Sequence, residues 1–142
     1  MNTTSATRRD TRRAGLAGRA IRVVMTAAPL CVNSNTLLGD ALAEMAAASL
    51  RHLVVVDCAG RCAGVLSDRC IVAAWAADPE ALTCQRVSSL LESPAAVVDD
   101  ATVADAAKLM RTAAVDAVAV VDSRCVPVGI VTGSDLVALL AR

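Results

Sequence analysis

The sequence repeats itself. Displaced by 65 residues it aligns with itself without a gap. Pro29 falls on Pro94, Val32 on Val97, Asp40-Ala41 on Asp105-Ala106, and Met45 on Met110. Ala48 falls on Ala113, Val55-Val56-Asp57 on Val120-Val121-Asp122, Gly64 on Gly129, and Val72-Ala73 on Val137-Ala138. A match of this length at one offset marks a tandem duplication of one supersecondary unit. It constrains the fold strongly, because both copies must adopt the same element order. A single unit of about 60 residues buries only a marginal core. Two units packed on each other remove that shortfall, so a pseudo-two-fold pair within one domain is expected.

Each copy reads as strand, helix, strand, strand, helix. The first strand is expected around Leu30–Val32 and Ala96–Val98. A helix follows, from the helical spacing of Leu38, Leu42 and Met45 and of Val103, Ala106, Leu109 and Met110. Thr102 with Asp105 three residues on suits a helix start. The β-rich runs Leu53–Val56 with Ala63–Leu66, and Ala117–Val121 with Val126–Val131, are joined by short turns and read as hairpins. Closing helices are expected near Asp68–Ala76 and Ser134–Ala141. The strand runs are apolar almost throughout, which suits an α/β arrangement with strands covered on both faces. The resulting organisation is an arm over 1–20, a first repeat over 21–77, a connector with a short helix over 78–91, and a second repeat over 92–142. Pro79 is the connector's first break.

Composition narrows the function. The chain of 142 residues is 56% hydrophobic yet has a single aromatic residue, Trp75, so its core must be aliphatic. Basic and acidic residues balance at 14 each, which gives the body no electrostatic pull toward nucleic acid or an anionic membrane. No apolar run reaches the ~18 residues needed to span a bilayer. The six cysteines are scattered, as expected of free thiols in a reducing, cytoplasmic compartment rather than of a disulfide framework. Cys58 and Cys62 lack the second pair that a zinc site needs, so no metal is expected. The residues 1–22 hold six arginines and one acid, Asp10, and read as a solvated, disordered arm to about Arg13. The arm's composition also fits phosphate-backbone contact or an organelle transit segment. One Lys beside thirteen Arg suggests a GC-rich bacterial genome. No catalytic constellation is present: His52 is the sole histidine and Lys108 the sole lysine, and no serine has a base in its sequence context, so an enzyme is not expected.

The phrase carrying most chemistry occurs twice, as Gly129-Ile-Val-Thr-Gly-Ser-Asp135 and as Gly64-Val-Leu-Ser-Asp-Arg-Cys70. In the second copy Thr132 sits where strand becomes helix, and Asp135 falls three residues on, on the same helix face. A hydroxyl, free backbone N–H groups and a carboxylate converge there. Such a group can cap the helix. It can equally cradle a phosphate and accept hydrogen bonds from a ribose diol. The first copy keeps a hydroxyl in Ser67 but has Cys70 in place of the carboxylate.

Three stretches, Val24-Met-Thr-Ala-Ala-Pro29, Arg51-His-Leu-Val-Val-Val-Asp57 and the glycine phrase, in this order and doubled, resemble the cystathionine-β-synthase (CBS) domain in tandem. The resemblance spans about Ile21 to Arg142. It implies a regulatory, non-catalytic module that binds AMP, ADP, ATP or S-adenosylmethionine in clefts between two β-α-β-β-α repeats. It also implies a homodimer, and a separate effector protein to receive the signal. By the resemblance Asp135 would contact ribose, and Thr132 and Ser67 would lie near phosphate. Basic residues before the second strand, Arg51 and His52, would serve the Thr132–Asp135 cleft. Asp116 would face the Ser67–Cys70 cleft and repel phosphate. One competent and one degenerate site are the expectation. The alternative is a ligand-free interaction module that dimerises through apolar helices such as the one carrying Trp75.

Overall fold

A computed structural model describes residues 15–91 and 95–141. The arginine-rich stretch to Arg13 and the Pro29–Pro94 correspondence lie outside the described residues. The strands are β1 (Thr26–Ala27), β2 (Cys31–Asn33), β3 (His52–Val56), β4 (Cys62–Ser67), β5 (Ala96–Val98), β6 (Ala117–Val121) and β7 (Pro127–Thr132). The helices are α1 (Leu38–Ala48), α2 (Asp68–Ala77), the short α3 (Ala81–Cys84), α4 (Val103–Ala113) and α5 (Gly133–Leu140). Single 3-10 turns occupy Ile21–Val23 and Val87–Leu90. The expected order therefore appears twice, with β1 and α3 added.

Local chemistry explains the duplicated elements. Thr102 caps α4, and Thr132 caps α5, each with a complete capping box closed by the Asp three residues later. The hairpin turns are built alike. Asp57 Oδ1 accepts from the N–H groups of Ala59 and Arg61, and Asp122 Oδ1 from those of Arg124 and Val126. These bonds favour the ionised Asp57 carboxyl and hold its pKa below the ordinary value, the bond from Arg61 contributing most. The left-handed turn residue is Gly60 in the first hairpin and Cys125, at φ 65°, in the second.

Two sheets form. One has the order β2-β3-β4, the other β1-β7-β6-β5. In each, the first strand of the repeat pairs parallel with the next, and the hairpin is antiparallel. Alternation along the strands feeds two sides. Leu53 and Val55 of β3 join Leu38, Ala41, Met45, Leu66 and Ile71 under the first repeat's helices. Val118 and Val120 of β6 join Val103, Ala106, Val131 and Leu139 under the second's. Between the sheets, Val54 and Cys62 meet Ala119 and Val121. Burial on both faces is why the strands carry few polar residues. Each fully buried aliphatic side chain contributes about 1.5–3 kcal/mol to this core.

The repeats exchange their leading segments. Strand β1, at the start of the first repeat, pairs antiparallel with β7 of the second. Ile21 and Val24 are buried in the second repeat's core, and the Ile21 N–H donates to the Ala101 carbonyl at 2.9 Å. Reciprocally, Ala81 and Val87 of the connector are buried in the first repeat's core, and the Leu38 N–H donates to the Gln85 carbonyl at 2.9 Å. The phrase glycines serve this exchange. A Cβ on Gly129 would collide with Met25 Sδ and stand 3.1 Å from the Thr26 carbonyl oxygen, so β1 can cross there only beside glycine.

Candidate functional site

The strand-to-helix junctions Ser67–Asp68 and Thr132–Gly133 place the two phrases at equivalent points of the two repeats. At the second, Thr132 Oγ1 accepts from the Asp135 N–H at 3.3 Å, and Asp135 Oδ2 accepts from the Thr132 N–H at 2.8 Å. Both residues are half-buried. The second carboxylate oxygen of Asp135 makes no hydrogen bond among the described residues, so capping leaves an acceptor over. At the first junction, Ser67 Oγ accepts from the Cys70 N–H at 3.2 Å and donates to Cys70 Sγ at 3.2 Å. Half of the capping box survives there. The reciprocal half is lost because a thiol is a poor acceptor.

Beside Ser67 a cleft of about 630 Å3 opens between the repeats. The first repeat contributes His52, Ser67, Arg69 and Cys70, and the second contributes Met110, Arg111, Val115 and Asp116. A volume of several hundred Å3 is that of small-molecule sites. His52 faces Ser67 across the β3–β4 ladder, and its Nε2 lies 3.0 Å from Asp116 Oδ1. The His52 side chain is largely covered while that of Asp116 is 62% exposed, so the pair closes the floor of an otherwise open cleft. The hydrogen bond from His52 is the main reason the Asp116 carboxyl stands below the ordinary carboxylate pKa, with the charges of His52 and Arg69 adding to it.

The structure thus divides the expected site residues. It brings His52 and Ser67 together, and it brings Thr132 and Asp135 together. His52 lines the Ser67 cleft, whereas the sequence assigns it to the Thr132 cleft. The reason is the bond to Asp116, which draws the ring across the repeat boundary. Asp116 lies where expected, but with its charge met by His52 and Arg69 rather than bare. Arg51 is exposed, and its carbonyl accepts from the Asp68 N–H at 2.9 Å. The sequence reading missed Arg69 and Arg111. Both had a signal: Arg69 aligns with Ser134 and Arg111 with Ala46, so each is a charge present in one copy alone.

Cys70 is the one cysteine among the residues that line the Ser67 cleft. Cys62 is buried at the start of β4, its N–H donating to the Cys125 carbonyl at 2.8 Å. Burial raises its thiol pKa, and the nearby Cys125 and Cys31 raise it further. Among the described residues no group of three or more His, Cys, Asp or Glu side chains is placed to hold a metal ion.

Comparison with known proteins accounts for the doubled architecture. The profile of the CBS domain matches residues 20–77 and again residues 87–142. The chain belongs to the CBS domain family. A CBS domain-containing protein of Dictyostelium discoideum is 32% identical over 132 residues, covering 86% of this chain and 91% of that protein. Among solved structures, a conserved CBS domain protein of unknown function from Thermoplasma acidophilum is 31% identical, with a TM-score of 0.76 over 87% of this chain and 70% of that one. CBSX2, solved in complex with AMP, is 25% identical, with a TM-score of 0.71 over 87% of this chain and 97% of that one. The CBS pair is a mixed α/β architecture, and no helix among the described residues is long and apolar enough to cross a membrane.

Proposed function

We propose that this CBS pair is a non-catalytic sensor that binds an adenosine-containing ligand, AMP, ADP, ATP or S-adenosylmethionine, between its repeats and passes the signal to a separate protein. One observation carries the reading: the Ser67 cleft has walls from both repeats, so a ligand there bridges them and biases their packing. A ligand shifts a conformational equilibrium only by binding its states unequally, and a two-walled cleft supplies that inequality. The AMP complex of CBSX2 supports the ligand class. Thr132 and Asp135 form the ribose-and-phosphate cradle of the second cleft, and Ser67 and His52 belong to the first. In this reading Arg51, exposed before β3, serves phosphate in the Thr132 cleft.

The signal leaves through protein surface. Val72 and Trp75 on α2 and Val137 and Leu140 on α5 are 47–68% exposed, an apolar face that suits a homodimer and an effector contact. The module works in the cytoplasm of a bacterium, as its free thiols and arginine-rich composition suggest. The test is thermal unfolding with AMP, ADP, ATP and S-adenosylmethionine, alongside mass in solution. A ligand at a hundred times its Kd adds about 2.7 kcal/mol, an unmistakable shift. No shift with any of the four would turn the reading toward an interaction module that needs no ligand.

A further inference from the structure

The Ser67 cleft is cationic, and its cations come from opposite walls. Arg69 stands in the first turn of α2, in the first repeat, and Arg111 in the last turn of α4, in the second. Both are exposed, and neither forms an ion pair among the described residues. The one carboxylate in the lining, Asp116, is already engaged by the His52 ring. The lining thus sets these two guanidinium groups against one carboxylate that the His52 ring already engages. Position 70 offers a thiol where Asp135 offers a carboxylate, and Asp68, the acid in the first turn of α2, is not among the lining residues, so the carboxylate that position 135 would supply is missing from this cleft. Guanidinium groups bind phosphate through paired N–H donors, and two of them facing one cleft suit a phosphate chain better than a neutral or cationic group. Arg111 also gains from the carbonyl end of its own helix, but that gain does not depend on the cleft.

From this we infer that the Ser67 cleft selects its ligand by phosphate, holding the phosphate chain of a nucleoside di- or triphosphate between Arg69 and Arg111, and discriminates against the sulfonium cation of S-adenosylmethionine. The inference rests on the cleft being a ligand site, and it reverses the expectation that the loss of Asp at position 70 leaves this copy degenerate. Asp116 sets a ceiling on affinity, since its charge opposes the phosphate that the arginines attract.

The experiment is calorimetric titration of the full chain with ATP, adenosine, S-adenosylmethionine and inorganic tripolyphosphate at fixed ionic strength. It compares wild type with Arg69→Gln, Arg111→Gln and Asp116→Asn, each first checked for an unchanged circular dichroism spectrum. Loss of one charge-assisted contact should weaken ATP and tripolyphosphate about tenfold in each arginine variant and leave adenosine unchanged. Asp116→Asn should tighten both anions. Dependence on Arg69 and Arg111 assigns the binding to this cleft rather than to the Thr132 cleft. ATP binding no tighter than adenosine, or indifferent to both arginines, overturns the inference while leaving the sensor reading in place. Arginine-dependent binding of tripolyphosphate without binding of ATP or any other adenosyl ligand shows a polyphosphate site that takes no nucleoside, and overturns both the inference and the sensor reading. No binding of tripolyphosphate or ATP overturns the inference outright.

Discussion

Ser67-Asp-Arg-Cys70 and Thr132-Gly-Ser-Asp135 stand at the same place in two copies of one unit, and they have diverged in a physically ordered way. What both retain is the hydroxyl that accepts from the N–H three residues on. The helix needs that bond, because its first N–H groups otherwise lack partners. What differs is the fourth residue. Asp135 returns the bond to the Thr132 backbone and keeps an acceptor spare, while Cys70 does neither. Beside it the first copy has Arg69, and the opposite wall Arg111. The junction is kept for folding, and the residues around it are free to set which end of a ligand is read.

The comparison can be broken most severely at the glycines that precede the two junctions. Gly129→Ala pushes a methyl group into Met25 and the backbone of Thr26, and should cost about 2–3 kcal/mol by overpacking and loosening of β1. Gly64→Ala meets only the movable end of the Leu91 side chain, at 3.0 Å, and its cost comes instead from the backbone, which Gly64 holds at φ 157°. Urea unfolding with amide exchange in β1 separates the two variants, and loosening of β1 to the same extent in both would deny the role given to the β1 crossing.

Exchange of the fourth residue sharpens it next. Asp135→Ala should weaken AMP binding ten- to a hundredfold if the spare oxygen serves ribose, and should cost about 1 kcal/mol in the cap alone. Cys70→Asp should restore the missing half of the capping box and gain up to about 1 kcal/mol. Binding and thermal melts on the same samples separate the ligand effect from the capping effect.

The cleft floor makes a pH test. The Asp116 carboxyl has its pKa lowered in the folded state, mainly by the bond from His52. A lowered carboxylate pKa means the folded state binds fewer protons there than the unfolded state. Its contribution is present above the ordinary carboxylate value of about 3.9 and fades as pH falls through the lowered one. Asp116→Asn should therefore lower Tm slightly above about pH 4 and converge on wild type below it, which flattens the acid limb of the Tm–pH curve. The effect is small because the group is exposed and screened.

The smallest effect lies at the turns. Cys125 holds the left-handed conformation that Gly60 holds in the other hairpin. Cys125→Gly should stabilise by up to about 1 kcal/mol, since glycine carries no Cβ penalty there. A denaturant midpoint that falls instead would show the thiol to be contributing packing.

Much of this architecture was legible beforehand, and the legible parts share a property. The capping of α4 by Thr102 and Asp105, the hairpin turns and the α/β order depend on residues a few positions apart. The Leu38, Leu42 and Met45 periodicity marks α1 for the same reason. The two-residue β1 was not legible, because so short a run has no periodicity and forms only where β7 offers an edge. The place of His52 beside Ser67 was not legible for a similar reason. Position within a repeat says which junction a residue precedes, not which way its side chain turns at the boundary between repeats.

The sequence by itself determined that this protein is a duplicated strand–helix–strand–strand–helix unit with an aliphatic core, and which junction kept its carboxylate. Those features follow from local hydrogen bonding and from periodicity, which the chain carries in its order of residues. Only the tertiary structure decided that the leading segments are exchanged, that His52 binds Asp116 across 64 residues of chain, and that Arg69 and Arg111 face one cleft. Each of those is a contact between repeats, fixed by how two sheets bury Val54, Cys62, Ala119 and Val121 between them. No local rule encodes that packing, because its stabilisation appears only when both copies are folded together.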